Sequence, residues 1–266
     1  MIWTSATFKG LDPDLLERLK AGTTRRCIGV DAGSSEQRIG VSLGVYDSLN
    51  IATHVGDDLT AVMTNRAILR EQLRLPSEPY WLNQTHTIRV VELPYEYRSH
   101  MEADACFTQL TNTICTVMTA DCLPILMVDV QGRVVSAVHA GWRGLLNGIV
   151  ANTIRALPVN ADELSVWIGP AISKAAFEVG SEVRQSFVDK WPQSADMFVT
   201  STLSDNADNK YMCDLPGIAV LVLQELGVSL ISLSNECSYQ NQQYYYSYRR
   251  DGQCGRMASM IWLEDK

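Results

Sequence analysis

One stretch limits the folds open to this chain more than any other: residues 117–150, VMTADCLPILMVDVQGRVVSAVHAGWRGLLNGIV. Residues 125–128 and 134–138 are short, mostly apolar runs, and Asp129-Val130-Gln131-Gly132-Arg133 stands between them. Runs of that length around a turn signal predict a hairpin buried on both faces. A two-residue loop centred on Val130 and Gln131 places Cys122 directly opposite His139, with Cβ atoms about 5 Å apart on one face. A slip of one residue would send one of the two to the other face. At that separation a thiolate and an imidazole either share a metal ion or act as nucleophile and base. Ala140-Gly141-Trp142-Arg143-Gly144 follows, and then a helical pattern (Leu145, Leu146, Ile149, Val150, Ile154, Leu157) that Pro158 ends. The pair is thus delivered to a helix start, where backbone N–H groups can receive an anion. Arg143, beside that start, is an expected substrate contact.

Composition narrows the partners. A chain of 266 residues, 46% hydrophobic, can bury a full core. A net charge of −8 argues against nucleic acid or an anionic membrane surface as the main partner. No apolar run approaches the roughly 20 residues of a membrane span. The opening Met1-Ile2-Trp3-Thr4-Ser5-Ala6 lacks a basic region followed by an apolar one, so no secretory signal is expected and the location predicted is cytoplasmic. Seven scattered cysteines, an odd number, suit reduced thiols better than a disulfide framework. Six fit core positions. Cys122 stands apart, following Asp121 at a strand entrance.

Along the chain, Asp12 is an N-cap with Pro13 behind it, and a Leu15, Leu16, Leu19 stripe predicts a helix closing at Gly22. Residues 27–30 suggest a strand, and the Asp31-Ala32-Gly33-Ser34-Ser35 loop after it is an ordinary turn before it is a phosphate cradle. Asp57 and Asp58 cap a predicted helix running to about Leu75, with Val62, Leu69 and Leu73 on one face. Residues 80–86 predict a strand ending in His86. Residues 100–106 lead into an apolar strand at 114–118. A strand at 166–168 ends at Gly169-Pro170, and helices are expected at 181–191 and from the Asp214 cap to Gly227. Residues 196–209 have the polarity of an exposed loop, and residues 244–250 predict an aromatic strand turning at Asp251-Gly252 into a return strand at 256–263. Strands and helices mix without βαβ alternation, which predicts an α+β fold with mixed sheets in one domain.

Of four histidines (54, 86, 100 and 139), His86 and His139 each end an apolar run, and His139 has a thiol facing it. One Cys with two His makes three protein ligands, the pattern of a catalytic zinc with an open fourth position. Spacing does not bring His86 to the hairpin. The same residues admit a second chemistry, a Cys122–His139 thiolate–imidazolium pair with Asp121 or Asp104 orienting the imidazole. Arg249 and Arg250, after Tyr244, Tyr245, Tyr246 and Tyr248, offer a phosphate clamp over an aromatic floor. Adjacent on a strand, they would point to opposite faces, and only one would face the site.

The motifs Trp81-Leu82-Asn83-Gln84-Thr85-His86, Glu102-Ala103-Asp104-Ala105, Met118-Thr119-Ala120-Asp121-Cys122-Leu123-Pro124 and His139-Ala140-Gly141-Trp142-Arg143-Gly144 resemble the YfiH-type laccase-domain family. The likeness extends through Gly40-Val41-Ser42, His54-Val55-Gly56-Asp57-Asp58, Ser247-Tyr248-Arg249-Arg250-Asp251 and Gly255-Arg256-Met257, and leaves residues 1–35 as a less typical N-terminal extension. Members are described as polyphenol oxidases and as purine nucleoside phosphorylases with adenosine deaminase activity. The resemblance implies one α+β domain of packed mixed sheets with flanking helices, and a zinc ion on His86, Cys122 and His139, with copper as the alternative metal. It implies phosphorolysis of adenosine, inosine and methylthioadenosine, and deamination of adenosine. A distant likeness to bacterial toxin deamidases keeps the thiol reading in play.

Two departures stand out. The family's Thr-Arg before Gly-Gly-Val-Ser is here Glu36-Gln37-Arg38-Ile39-Gly40, and its Gln-Val-His-Gly is Gln84-Thr85-His86-Thr87. The expected site therefore has Cys122, His139, Asp121 and Arg249 in the chemistry, with Ser42, Asn50, Arg143 and Arg250 on purine nucleoside and phosphate. A laccase-like multicopper centre needs several imidazole-rich copper sites, and four histidines are too few for one. The oligomeric state is left open.

Overall fold

The computed structural model describes residues 2–28, 37–94, 102–202 and 209–265. The 31–35 loop, His100 and residues 203–208 of the expected 196–209 loop lie outside the described residues.

Two mixed sheets form the centre. The first runs Trp3–Ser5, Leu19–Thr24, Met257–Leu263, Cys115–Thr119, Tyr80–Trp81, antiparallel except at its last pair. The second runs Leu230–Leu233, Leu164–Ile168, Leu123–Asp129, Val135–Ala140, Ala105–Thr108, Val90–Glu92, with parallel pairs at both edges. A three-stranded sheet (Glu178–Gly180, Lys210–Cys213, Phe198–Thr200) and a two-stranded one (Cys27–Ile28, Gln37–Arg38) complete them. This is the expected α+β class with mixed sheets.

Alternation along the strands explains the layering. In Leu123–Asp129, Leu126 and Val128 join Ala137, Cys115, Val117 and Ile261 between the two sheets. Ile125 and Met127 point the other way, onto helices Ile149–Ala156, Ser181–Lys190 and Leu215–Glu225. The outer face of the five-stranded sheet, with Met118, Met260 and Trp262, is covered by Leu69 of helix Leu59–Gln72 and by Leu49 and Ile51. A strand with a layer on each side needs no polar face, which is why residues 123–129 are buried throughout.

Several local expectations are corrected. The central hairpin has a longer loop: His139 pairs with Pro124, and Val135 with Val128. Asp129 causes this. Its carboxylate accepts from the backbone N–H groups of Gln131, Arg133 and Val134, and Gly132 takes φ +70°. The register shifts by two residues, not one, so Cys122 stays on the face of His139. The first helix stops at Arg18, and Gly22 lies in a strand, where a Cβ would come within 2.5 Å of the Thr4 carbonyl oxygen. The helical pattern after Trp142 breaks at Gly148 (φ +101°) into Trp142–Asn147 and Ile149–Ala156. Strand Tyr80–Trp81 ends well before His86, and Phe198–Thr200 is a strand inside the expected loop. Residues 244–247 are irregular and Tyr248–Asp251 is a short helix, its Arg250 N–H donating to Ser247 Oγ.

A candidate metal centre between the sheets

Cys122 sits where the chain leaves strand Cys115–Thr119 of one sheet and enters Leu123–Asp129 of the other. Asp121 makes that crossing in the left-handed region, φ +89°. Its carboxylate holds the bend by accepting from Ser238 Oγ at 2.6 Å and from the Arg249 N–H at 2.6 Å. His139 is buried near the end of strand Val135–Ala140. His86 comes from the loop after Tyr80–Trp81, also left-handed at φ +62°. Gln84 pins that loop to the five-stranded sheet, donating to the Met118 carbonyl and accepting the Met118 N–H. Cys122 Sγ lies 3.8 Å from His86 Nε2, and one ligand atom from each of His86, Cys122 and His139 falls within 4.8 Å of the others. Tetrahedral zinc with bonds of about 2.0–2.3 Å wants its ligands about 3.3–3.8 Å apart, a spacing the Cys122–His86 pair already meets at 3.8 Å.

Asp104 organises the triangle. Buried completely, it accepts His139 Nδ1–H at 2.7 Å and the His86 N–H at 3.1 Å on Oδ1. Its Oδ2 accepts the backbone N–H groups of Thr85 and Thr87 and the Thr87 hydroxyl. The His139 bond leaves Nε2 for a metal, the orientation a metal-binding imidazole takes from a carboxylate behind it. Thr87, in place of the family's glycine, adds a hydroxyl that glycine lacks. Between Asp121 and Asp104, the residue that orients His139 is Asp104.

Charge follows from the same contacts. Burial alone would raise the Cys122 thiol, but His139 and then His86 outweigh it and bring it down to about 6. Burial opposes protonation of His139, and the Cys122 thiolate and Asp104 overcome that and push it up to about 9. These opposed shifts favour a thiolate–imidazolium pair. Asp104 is lowered despite its burial, through hydrogen bonds from His139 and Thr87.

The triangle forms the floor of a cavity of about 500 Å³. Asp121, Arg143 and Arg249 line it as well, with Trp142, Phe177 and Tyr248 supplying aromatic surface. Arg249 lies over the Phe177 ring and donates to the Glu178 carbonyl. Arg250 turns away, its guanidinium donating to the carbonyls of Ser238, Tyr239 and Tyr245. Ser42 and Asn50 are buried outside the cavity wall, both donating to Asp57 Oδ2. Asn50 reaches the cavity only indirectly, accepting the Arg256 N–H. The displaced Arg38 pairs with Asp47 and donates to the Ser42 carbonyl. His54, Gln84 and Arg256 line the cavity and were not singled out from the sequence. His54 was the visible one among them, as one of four histidines.

A mixed-sheet protein with a Cys/His/His triangle that could hold a metal, lining an arginine-bearing cavity, is the class these features define. The model of the family described as multi-copper polyphenol oxidoreductase laccase matches residues 31–264, and the chain belongs to that family. It is 41% identical over 235 residues to a Haemophilus influenzae protein named purine nucleoside phosphorylase, covering 88% of this chain and 95% of that one. To Escherichia coli purine nucleoside phosphorylase YfiH it is 42% identical, covering 88% and 94%. The crystal structure of a Neisseria meningitidis protein, 38% identical, superposes over 100% of both chains with a TM-score of 0.86.

Proposed function

We propose that this chain is a cytosolic, zinc-dependent purine nucleoside phosphorylase, folded as one domain, that acts on adenosine, inosine and methylthioadenosine and also deaminates adenosine. The observation that carries this reading is the Cys/His/His triangle at the floor of an arginine-lined cavity, in a chain about two-fifths identical to proteins named for that activity. A cavity of this volume is within the roughly 300–1,000 Å³ usual for small-molecule sites. One soft thiolate and two imidazoles suit zinc, and three protein ligands leave the fourth position open. Held by His86, Cys122 and His139, zinc would supply Lewis acidity to the reaction.

The chain's own residues do the rest. Arg249 and Arg143 hold phosphate, and Asp121 fixes the backbone from which Arg249 reaches. Trp142, Phe177 and Tyr248 cover the nucleoside and exclude water. Among the described residues one cluster has metal-ligand geometry, that of His86, Cys122 and His139. Metal analysis of untagged protein together with an inosine-plus-phosphate assay tests the reading. Stoichiometric zinc with hypoxanthine release supports it, and phenol oxidation without nucleoside turnover overturns it. Arg249→Ala is expected to raise the phosphate KM at least about tenfold, because a charged hydrogen-bonding contact is worth about 1.5–3 kcal/mol. Deamination, which uses water, loses less.

A further inference from the structure

His54 lines the cavity but is not part of the ligand triangle. The loop that presents it is tied on both sides. Tyr46 Oη and Gln253 Nε2 both donate to the Val55 carbonyl, at 2.8 and 3.2 Å. Arg66 Nε donates to the Ile51 carbonyl, and Asn50 Oδ1 accepts the Ala52 N–H. Gly56, at φ +95°, makes the turn just beyond. A ring on so fixed a loop, with no hydrogen bond to the other described residues, has donor capacity to spend on a ligand.

His54, Gln84, Met118 and Arg256 stand at the end of the five-stranded sheet. Trp142 and Arg143 extend from the six-stranded sheet, and Arg249 packs over Phe177 beside the three-stranded one. Displacement at a ribose carbon needs the attacking oxygen and the departing ring on opposite sides. With phosphate on Arg143 and Arg249, His54 and Arg256 are the lining groups left for the departing ring.

Resting on the phosphorylase reading above, we propose that His54 is a catalytic residue that receives the leaving purine, its ring N–H hydrogen-bonding the purine nitrogen on which negative charge accumulates. An oxygen of HPO₄²⁻ bonds to C1′ while the C1′–N9 bond breaks and its electron pair moves onto the purine. The proton lost by the phosphate on bonding neutralises the departed ring, so His54 ends the cycle as it began. Partial burial, then Arg256, Arg66 and His139, hold its pKa below the ordinary value, which favours the uncharged ring as donor. A neutral imidazole stabilises a developing anion in this way in other enzymes.

The test compares inosine with 7-methylinosine, whose ring departs uncharged and needs no donor. In the zinc-loaded protein, His54→Ala is expected to lower kcat on inosine by on the order of 100-fold and on 7-methylinosine by no more than about threefold. His54→Gln, which keeps an N–H donor, should recover part of the loss on inosine. Zinc per chain and the phosphate KM should stay as in the wild type. Equal losses on both substrates, or no loss on either, overturn the assignment of His54 while leaving a phosphorylase. A wild-type protein that binds zinc and turns over neither substrate overturns both readings together.

Discussion

Asp104 accepts five hydrogen bonds from inside the protein, from His139, from the backbone of residues 85–87 and from the Thr87 hydroxyl. One carboxylate thus sets the tautomer of one proposed metal ligand and the backbone of another. Asp104→Asn keeps the shape but exchanges an acceptor for an amide donor, and it is expected to weaken zinc binding by about 10–100-fold, read by competition with a chromogenic chelator. Cys122 gives the second test at this scale. Its thiol is lowered to about 6, so in metal-free protein the thiolate is present above that pH and is lost as pH falls through it. Iodoacetamide labelling of metal-free protein should rise with a midpoint near pH 6 and fall almost wholly on Cys122, since burial pushes Cys115 up and Cys213 up to about 12. Bound zinc should protect it. If Cys122 holds metal, Cys122→His and Cys122→Asp are expected to retain turnover in proportion to bound metal, because each supplies a ligand without a thiol. Metal-free wild type that still turns over nucleosides, and is inactivated by one equivalent of iodoacetamide, would mean covalent thiol catalysis.

At the scale of elements, the junction between strand Val135–Ala140 and helix Trp142–Asn147 decides whether the ligands can meet. A Cβ on Gly141 would lie 2.9 Å from Cys122 Sγ and 2.9 Å from His86 Cδ2. Gly141→Ala is therefore expected to push these two ligands apart and cut zinc occupancy while circular dichroism stays unchanged. The helix Tyr248–Asp251 separates two neighbouring arginines by role. Arg250→Ala removes three bonds to backbone carbonyls and should destabilise the fold by about 2–3 kcal/mol in denaturant titration, lowering all activities together. Loss of phosphate affinity alone in that variant would show that Arg250 binds substrate. The sequence made the Cys122–His139 pair legible because parity survives a two-residue change of loop, although the loop itself was set by Asp129 contacts that no pattern advertises. Four tyrosines in five residues imitate a strand, and only the Ser247 cap and the carbonyls around Arg250 turn them into a bend and a helix. His86 as a neighbour of the pair was out of reach of spacing. Its position depends on Gln84 crossing to Met118 and on Asp104, contacts between residues distant in sequence, and the family resemblance alone supplied it.

At the scale of the whole molecule, the three proposed ligands join its two main sheets. His86 hangs from the edge of the five-stranded sheet, His139 lies within the six-stranded one, and Cys122 sits on the crossing between them. An ion bound there would be a clamp across the layers, at the end of a largely apolar interface. A ligand that binds only the folded state stabilises it by about 2.7 kcal/mol at a hundredfold excess over its Kd. For a chain of this size 1 kcal/mol moves Tm by about 2–4 °C, so zinc at that excess should raise Tm by about 5–10 °C over chelated protein. Cys122→Ser and His86→Ala, each removing one ligand, should melt close to chelated wild type and respond little to added zinc. Differential scanning fluorimetry across a zinc titration reads all three proteins at once. A wild-type Tm unmoved by both chelator and zinc would remove the clamp, and with it the metal from the centre of the mechanism.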